Sequence, residues 1–96
     1  MREFVKHIHF VGIGGIGMSG IAEVLLDLDF KVSGSDINES AALGRLRKAG
    51  AIVYVGHDAS NIQNADAVVY SSAVDETNPE VSSALQAKIP LVPRAE

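Results

Sequence analysis

The residues best placed to do chemistry lie near the start of the sequence, where Gly12-Ile13-Gly14-Gly15-Ile16-Gly17 fits the spacing G-x-G-x-x-G. Five of the nine glycines (Gly12, Gly14, Gly15, Gly17 and Gly20) fall within nine positions. Residues without a Cβ at this spacing let the backbone turn sharply and lie close to a ligand. Where such a turn opens a helix, free amides and the positive end of the helix dipole face an anion. On this reading Gly12 makes the tight turn, Gly14 leaves room for a diphosphate, and Gly17 lets the helix pack closely on a strand. A glycine turn used only for packing would look the same in isolation. No acidic side chain follows in the next turn, so the site is open to an anion, and Ser19 adds a hydroxyl.

Further candidates lie downstream. Asp36 comes 19 residues after Gly17, where an acid commonly accepts hydrogen bonds from ribose hydroxyls. Its charge would repel a ribose 2′-phosphate, which disfavours an NADP-type ligand; Ser-Asp-Ile-Asn also reads as an ordinary turn. His57 and Asp58 are placed to reach a base or ribose, or else lie on a solvated loop. Ser71 and Ser72 offer hydroxyls and amides to a diphosphate or sugar, or else form a serine-rich turn. His7 and His9 share a strand face at a spacing that can serve a metal, but no further ligand lies near them in sequence. They read as packed or strand-edge histidines, and no metal is assigned.

These residues sit where one element gives way to the next. Ile8 to Val11 has the length and composition of a buried strand, and Ile21, Val24, Leu25 and Leu28 form an apolar face on a helix from about Gly15 to Asp29. Phe30 to Ser33 reads as a second strand ending at Gly34-Ser35-Asp36. Ser40 then caps a helix with Leu43 and Leu46 inward, Arg45, Arg47 and Lys48 in its last turn, and Gly50 as its stop. Ala51 to Val55 is a third strand, Gly56 to Asp66 a polar stretch with at most one irregular turn around Ile62, and Ala67 to Tyr70 a fourth strand. Asn78-Pro79-Glu80 supplies a cap, an N1 proline and a first-turn acid for a helix running through Val81 and Leu85 to about Lys88. Leu91 and Val92, between prolines, form a short edge strand.

Strands alternating with helices, each strand nearly continuous in apolar residues, predict an α/β fold. The expected architecture is a Rossmann-like three-layer sandwich with a five-stranded parallel sheet in the order 3-2-1-4-5, and a crossover from strand 3 to strand 4 made largely of loop. Ligands bind such a sheet beyond the carboxyl ends of the strands at the switch point, here between strands 1 and 4.

Composition narrows the function classes. Ninety-six residues make one domain with no room for a second, and with 47% apolar and 21% charged residues the chain can bury roughly 60–70% of its unfolded surface. The absence of cysteine excludes a disulfide scaffold and a thiolate zinc or iron–sulfur site. A net charge of −4 provides no field for nucleic acid or an anionic membrane, so a bound phosphate must be held locally. Arg2 and Lys6 precede an uncharged stretch from His7 to Ala22 in the order of a signal peptide, but two histidines and five glycines interrupt it and Glu23 ends it. It also falls short of the roughly 20 predominantly apolar residues of a span. The chain reads as soluble and cytoplasmic.

The run from His7 through Gly12-Ile13-Gly14-Gly15-Ile16-Gly17-Met18-Ser19-Gly20-Ile21-Ala22 to Glu23 resembles the opening of the Mur ligases of bacterial peptidoglycan synthesis, in particular their alanine-adding members. Val32-Ser33-Gly34-Ser35-Asp36, Ser71-Ser72-Ala73, Asn78-Pro79-Glu80, Ile89-Pro90 and Arg94-Ala95-Glu96 extend the resemblance along essentially the whole chain. It implies the N-terminal domain of a three-domain, ATP-dependent ligase that joins L-alanine to UDP-N-acetylmuramate. By position, the loop with Gly12, Gly14, Gly15, Ile16 and Gly17 would hold the diphosphate, Asp36 and His57 would face the uridine, and Ser71, Ser72 and Arg94 would lie towards the sugar. In that family a central domain binds ATP and magnesium through a P-loop and phosphorylates the substrate carboxylate. The alanine amine attacks the acyl phosphate, and a last domain contributes to amino-acid binding.

The sequence departs from the family pattern in containing no G-x-x-x-x-G-K-[ST]. The expectation is a UDP-sugar-holding domain with no catalytic residue and no cofactor of its own, ending near the family's domain boundary, with the remaining ligase domains in cis. Alone it should bind weakly and turn nothing over. Residue spacing by itself fits an NAD-binding dehydrogenase domain or a ligand-gated regulatory module equally well, since diphosphate and ribose are common to NAD and UDP-sugars. The related ligase that recycles murein tripeptide is a further alternative.

Overall fold

The computed structural model describes residues 5–94; Arg2 and the Ala95-Glu96 end of the last family-like block lie outside them. Five parallel strands, β1 (His7–Val11), β2 (Lys31–Asp36), β3 (Ile52–Val55), β4 (Ala67–Ser71) and β5 (Leu91–Arg94), form one sheet in the order β3-β2-β1-β4-β5. Helices α1 (Ile16–Asp27), α2 (Ala41–Ala49) and α3 (Pro79–Ala87) connect them, with one 3-10 turn at Ala59–Ile62 in the β3–β4 crossover. The α/β architecture and strand order expected from the sequence are those observed.

Local signals set the helix ends. The Ser40 side chain accepts from the Leu43 amide, and Gly50 closes α2 at φ +114°, a left-handed conformation that favours glycine. Asn78 accepts from the amides of Glu80 and Val81, and Pro79 fixes the first helical φ of α3. Asp66 pins the start of β1 by accepting from the amides of Lys6 and His7, both at 2.8 Å. Those two bonds hold its carboxyl below the ordinary carboxylate value.

The two faces of the sheet differ. Ile8, Phe10 and Val32 point to the α1/α2 side and meet Ile13, Met18, Ala22, Leu43 and Leu46 in an apolar core. On the α3 side a smaller core joins Val11, Val68, Ile62, Ala65, Val81 and Ala84. Beside that core, on the same face of β1 and β2, lie His7, His9, Ser33 and Ser35, all buried. Successive strand residues point to opposite faces, so β1 and β2 alternate apolar and polar. This corrects the expectation of nearly continuous apolar strands.

Other differences have local causes. β2 runs on through Asp36 because Ser33 to Asp36 have β3 beside them and Ser33 to Ser35 also have β1 on the other side. On α1 Ile21 and Leu25 pack partly buried against the core as expected, but Val24 and Leu28 are exposed, and the fully buried stripe is Met18, Ser19 and Ala22, because the first turn docks on the core and fixes the helix's rotation. The expected close helix–strand packing at Gly17 does not occur, since a Cβ there would meet only the Arg94 guanidinium at 3.7 Å. The crowded glycine is Gly34 on β2, where a Cβ would lie 2.7 Å from Ile13 Cβ.

Candidate functional site

The glycine loop spends most of its amides on the end of β2. Gly12 and Ile13 donate to the Ser35 carbonyl, Gly14 to Asp36 Oδ2 at 2.9 Å, and Gly15 to the Gly12 carbonyl. Gly12 makes the turn at φ +87°, as its assigned role requires. The space at Gly14 belongs to Asp36: a Cβ there would sit 2.8 Å from Oδ2, so any side chain displaces the carboxylate before it reaches a ligand.

The next three amides are different. Gly15 caps α1 without a side-chain bond, no acid stands in the first turn, and among the described residues no acceptor meets the amides of Ile16, Gly17 and Met18. The Arg94 guanidinium lies against Gly17, and the Ile16 side chain is almost fully exposed. Three unpaired donors, the positive end of a helix dipole and one cation make an anion-binding corner on an otherwise acidic chain.

Beside this corner a cleft of about 480 Å³ opens at the β1/β4 switch point, lined by Gly12, Gly15, Asp36, Ile37, His57, Ser71, the segment Ala73 to Asp75, Thr77 and Asn78. Asp36 stands at the end of β2 and keeps lone pairs beyond its bond to Gly14. Ser71 is buried at the end of β4, its hydroxyl accepting from the Ala73 amide. Ser72 is exposed and is not among the lining residues; its amide donates to the Arg94 carbonyl.

Beneath the cleft runs a chain of buried polar groups centred on Glu80, which is fully buried in the first turn of α3. Its Oε1 accepts from His9 Nε2 at 2.7 Å and the Ser35 hydroxyl at 2.6 Å, and its Oε2 from the Asp58 amide at 3.1 Å and Asn61 Nδ2 at 2.8 Å. Burial opposes its ionisation, yet the bonds from His9, Ser35 and Asn61 prevail and hold its carboxyl below the ordinary value. On the far side His9 Nδ1 meets Ser33 Oγ at 2.8 Å, His7 Nε2 meets the same oxygen at 2.7 Å, and His7 Nδ1 meets the Asn64 carbonyl at 3.0 Å.

Counting protons along this chain fixes its charge. Four hydrogen bonds run between two acceptors, the Asn64 carbonyl and the Glu80 carboxylate, but neutral His7, Ser33 and neutral His9 carry only three protons between them. A fourth is required. Desolvation lowers the pKa of His7, which leaves the extra proton to the 2.7 Å contact between His9 Nε2 and Glu80 Oε1. The buried pair is then neutral overall, and among the described residues no buried side-chain nitrogen or oxygen lacks a partner.

A family model described as the Mur ligase family, catalytic domain, matches residues 7–96. The chain belongs to the Mur ligase family. It is 62% identical over 95 residues to the UDP-N-acetylmuramate–L-alanine ligase of Thiobacillus denitrificans, a match that covers 99% of this chain and 20% of that protein. Among solved structures it resembles the UDP-N-acetylmuramate–alanine ligase of Thermotoga maritima, with a TM-score of 0.88 and 41% identity over 92% of this chain and 20% of the other. The UDP-N-acetylmuramate:L-alanyl-γ-D-glutamyl-meso-diaminopimelate ligase from Neisseria meningitides follows at 0.84 and 32%, over 93% of this chain and 28% of that one. The chain spans about a fifth of the length of the curated relatives it matches.

In this Mur ligase chain the residues singled out from sequence fall into two groups. Gly12, Gly15, Asp36, His57 and Ser71 share the cleft, while Ile16, Gly17 and Arg94 form the adjoining anion corner. Gly14 acts through Asp36, and Ser72 stands apart from both. Sequence reasoning missed Met18 as an amide donor and Glu80 as the centre of the buried network. The available signal for Glu80 was the polar alternation at positions 7, 9, 33 and 35, since a polar face buried in a sheet requires a polar partner.

Proposed function

We propose that this chain is the nucleotide-sugar-holding domain of a cytoplasmic, alanine-adding Mur ligase of peptidoglycan synthesis, and that its ligand is UDP-N-acetylmuramate. The observation that carries the reading is the set of unpaired amides at Ile16, Gly17 and Met18 beside the Arg94 guanidinium, next to a cleft large enough for a nucleoside. The diphosphate sits on those amides, with Arg94 also turned to the sugar side. Asp36 and His57 face the uridine, and Ser71 and Ser72 lie towards the sugar. Identity near 60% with proteins named UDP-N-acetylmuramate–L-alanine ligase favours alanine addition over tripeptide recycling.

ATP and magnesium do not fit this domain. It has neither the P-loop lysine nor the hydroxyl that follows it, so carboxylate phosphorylation and attack by the alanine amine fall to further domains in cis. The chain by itself forms no ADP from ATP, alanine and UDP-N-acetylmuramate. Calorimetric titration with UDP-N-acetylmuramate and with NADH tests the assignment: the UDP-sugar binds in preference, whereas a preference for NADH would mark a dehydrogenase-type or regulatory dinucleotide domain.

A further inference from the structure

The buried network reaches the cleft at one residue, His57. Its Nδ1 lies 2.7 Å from Ser35 Oγ and 3.7 Å from Glu80 Oε2, and its side chain is mostly buried but lines the cleft. Nε2 has no protein partner among the described residues, and it is not sealed from solvent, since no buried side-chain nitrogen there is left unpaired.

Hydrogen-bond bookkeeping decides which ring nitrogen carries the proton. Four donors fill the lone pairs of the Glu80 carboxylate, one of them the Ser35 hydroxyl. A serine has a single proton, and that proton is committed to Glu80. Towards His57, Ser35 can therefore only accept, so Nδ1 must donate. The carboxylate 3.7 Å away favours a proton at the same place. We propose that Glu80 is a positioning residue that acts through Ser35 to hold His57 with its proton on Nδ1, so that Nε2 faces the cleft as an acceptor and selects a ligand group that donates, N–H or O–H.

The proposal deepens the reading of the cleft as a nucleoside site, but its first half is independent of any ligand. Nitrogen-15 NMR of the histidine rings in the ligand-free chain at neutral pH should show His57 protonated on Nδ1 alone. In Ser35→Ala that preference should weaken, with only the more distant carboxylate left to favour Nδ1, while a merely structural role for Ser35 would lower thermal stability and leave the ring unchanged. Ser35→Cys, closer in volume, is the second variant if alanine unfolds the chain. A wild-type His57 protonated on Nε2 or on both nitrogens, or an unchanged ring in the folded variant, would overturn the proposal.

Its second half is read with UDP, 2′-deoxy-UDP and N3-methyl-UDP. The wild-type chain should bind one of the two donor-deficient analogues roughly three- to tenfold more weakly than UDP, the effect of one net hydrogen bond, and Ser35→Ala should reduce that discrimination. Equal affinity for all three in the wild type would overturn the donor selection. Failure of UDP itself to bind would instead overturn the nucleotide-sugar reading and leave the tautomer result to stand or fall alone.

Discussion

The two faces of the sheet are both buried, but by different means. On the α1/α2 side Ile8, Phe10 and Val32 meet Leu43, Leu46 and Met18, and shape alone seals the layer. On the α3 side His7, His9, Ser33 and Ser35 are sealed by hydrogen bonds that converge on Glu80. Apolar burial has no direction and tolerates substitutions that keep volume. A polar layer works only when every donor finds its acceptor, so it fixes orientation as well as stability. In this chain the oriented layer lies under the cleft and ends at His57, while the apolar layer supports the glycine loop through Ile13 and Met18.

Glu80→Ala should separate the faces most sharply. It strands the four groups that bond to the buried carboxylate, at a cost of about 3–5 kcal/mol at pH 7. Because the fold lowers the pKa of Glu80, its contribution is complete above the ordinary value of 4.5 and is lost as pH falls through the lower folded value. Urea unfolding at a series of pH values should show the penalty shrinking in acid; a constant penalty would remove the carboxylate's charge from the account.

Leu43→Ala, on the other face, should cost about 2–5 kcal/mol, with the same value across that pH series. Gly34→Ala comes next, at about 1–3 kcal/mol, because the added methyl drives into Ile13. Gly17→Ala should cost less than Gly34→Ala, in contrast to the packing role that spacing assigns to Gly17. At the cap of α3, Asn78→Ala should cost about 1 kcal/mol by thermal unfolding.

Most of the fold was legible because its signals are local. Ser40, Gly50, Asn78 and Pro79 mark helix ends within a few residues of themselves, and the alternation of strands with helices gave the sheet order. The glycine loop was legible as a turn that opens a helix. Its division of labour was not, because Asp36 fills the space at Gly14 from 22 residues away. Glu80 looked like an ordinary first-turn acid because its partners lie at positions 9, 35, 58 and 61, which are brought together only when α3 packs on the sheet. The apolar face of α1 was only half legible: Ile21 and Leu25 pack against the core as their spacing suggests, but Val24 and Leu28 are exposed, and Met18 and Ala22 dock the helix.

The central claim is that the open amides at the start of α1 hold the diphosphate of a UDP-sugar. Amide chemical shifts recorded while UDP is titrated into the chain test it residue by residue. The largest saturable shifts should fall on Ile16, Gly17 and Met18, and should weaken in Arg94→Ala; saturable binding that leaves these three amides unmoved would contradict the account.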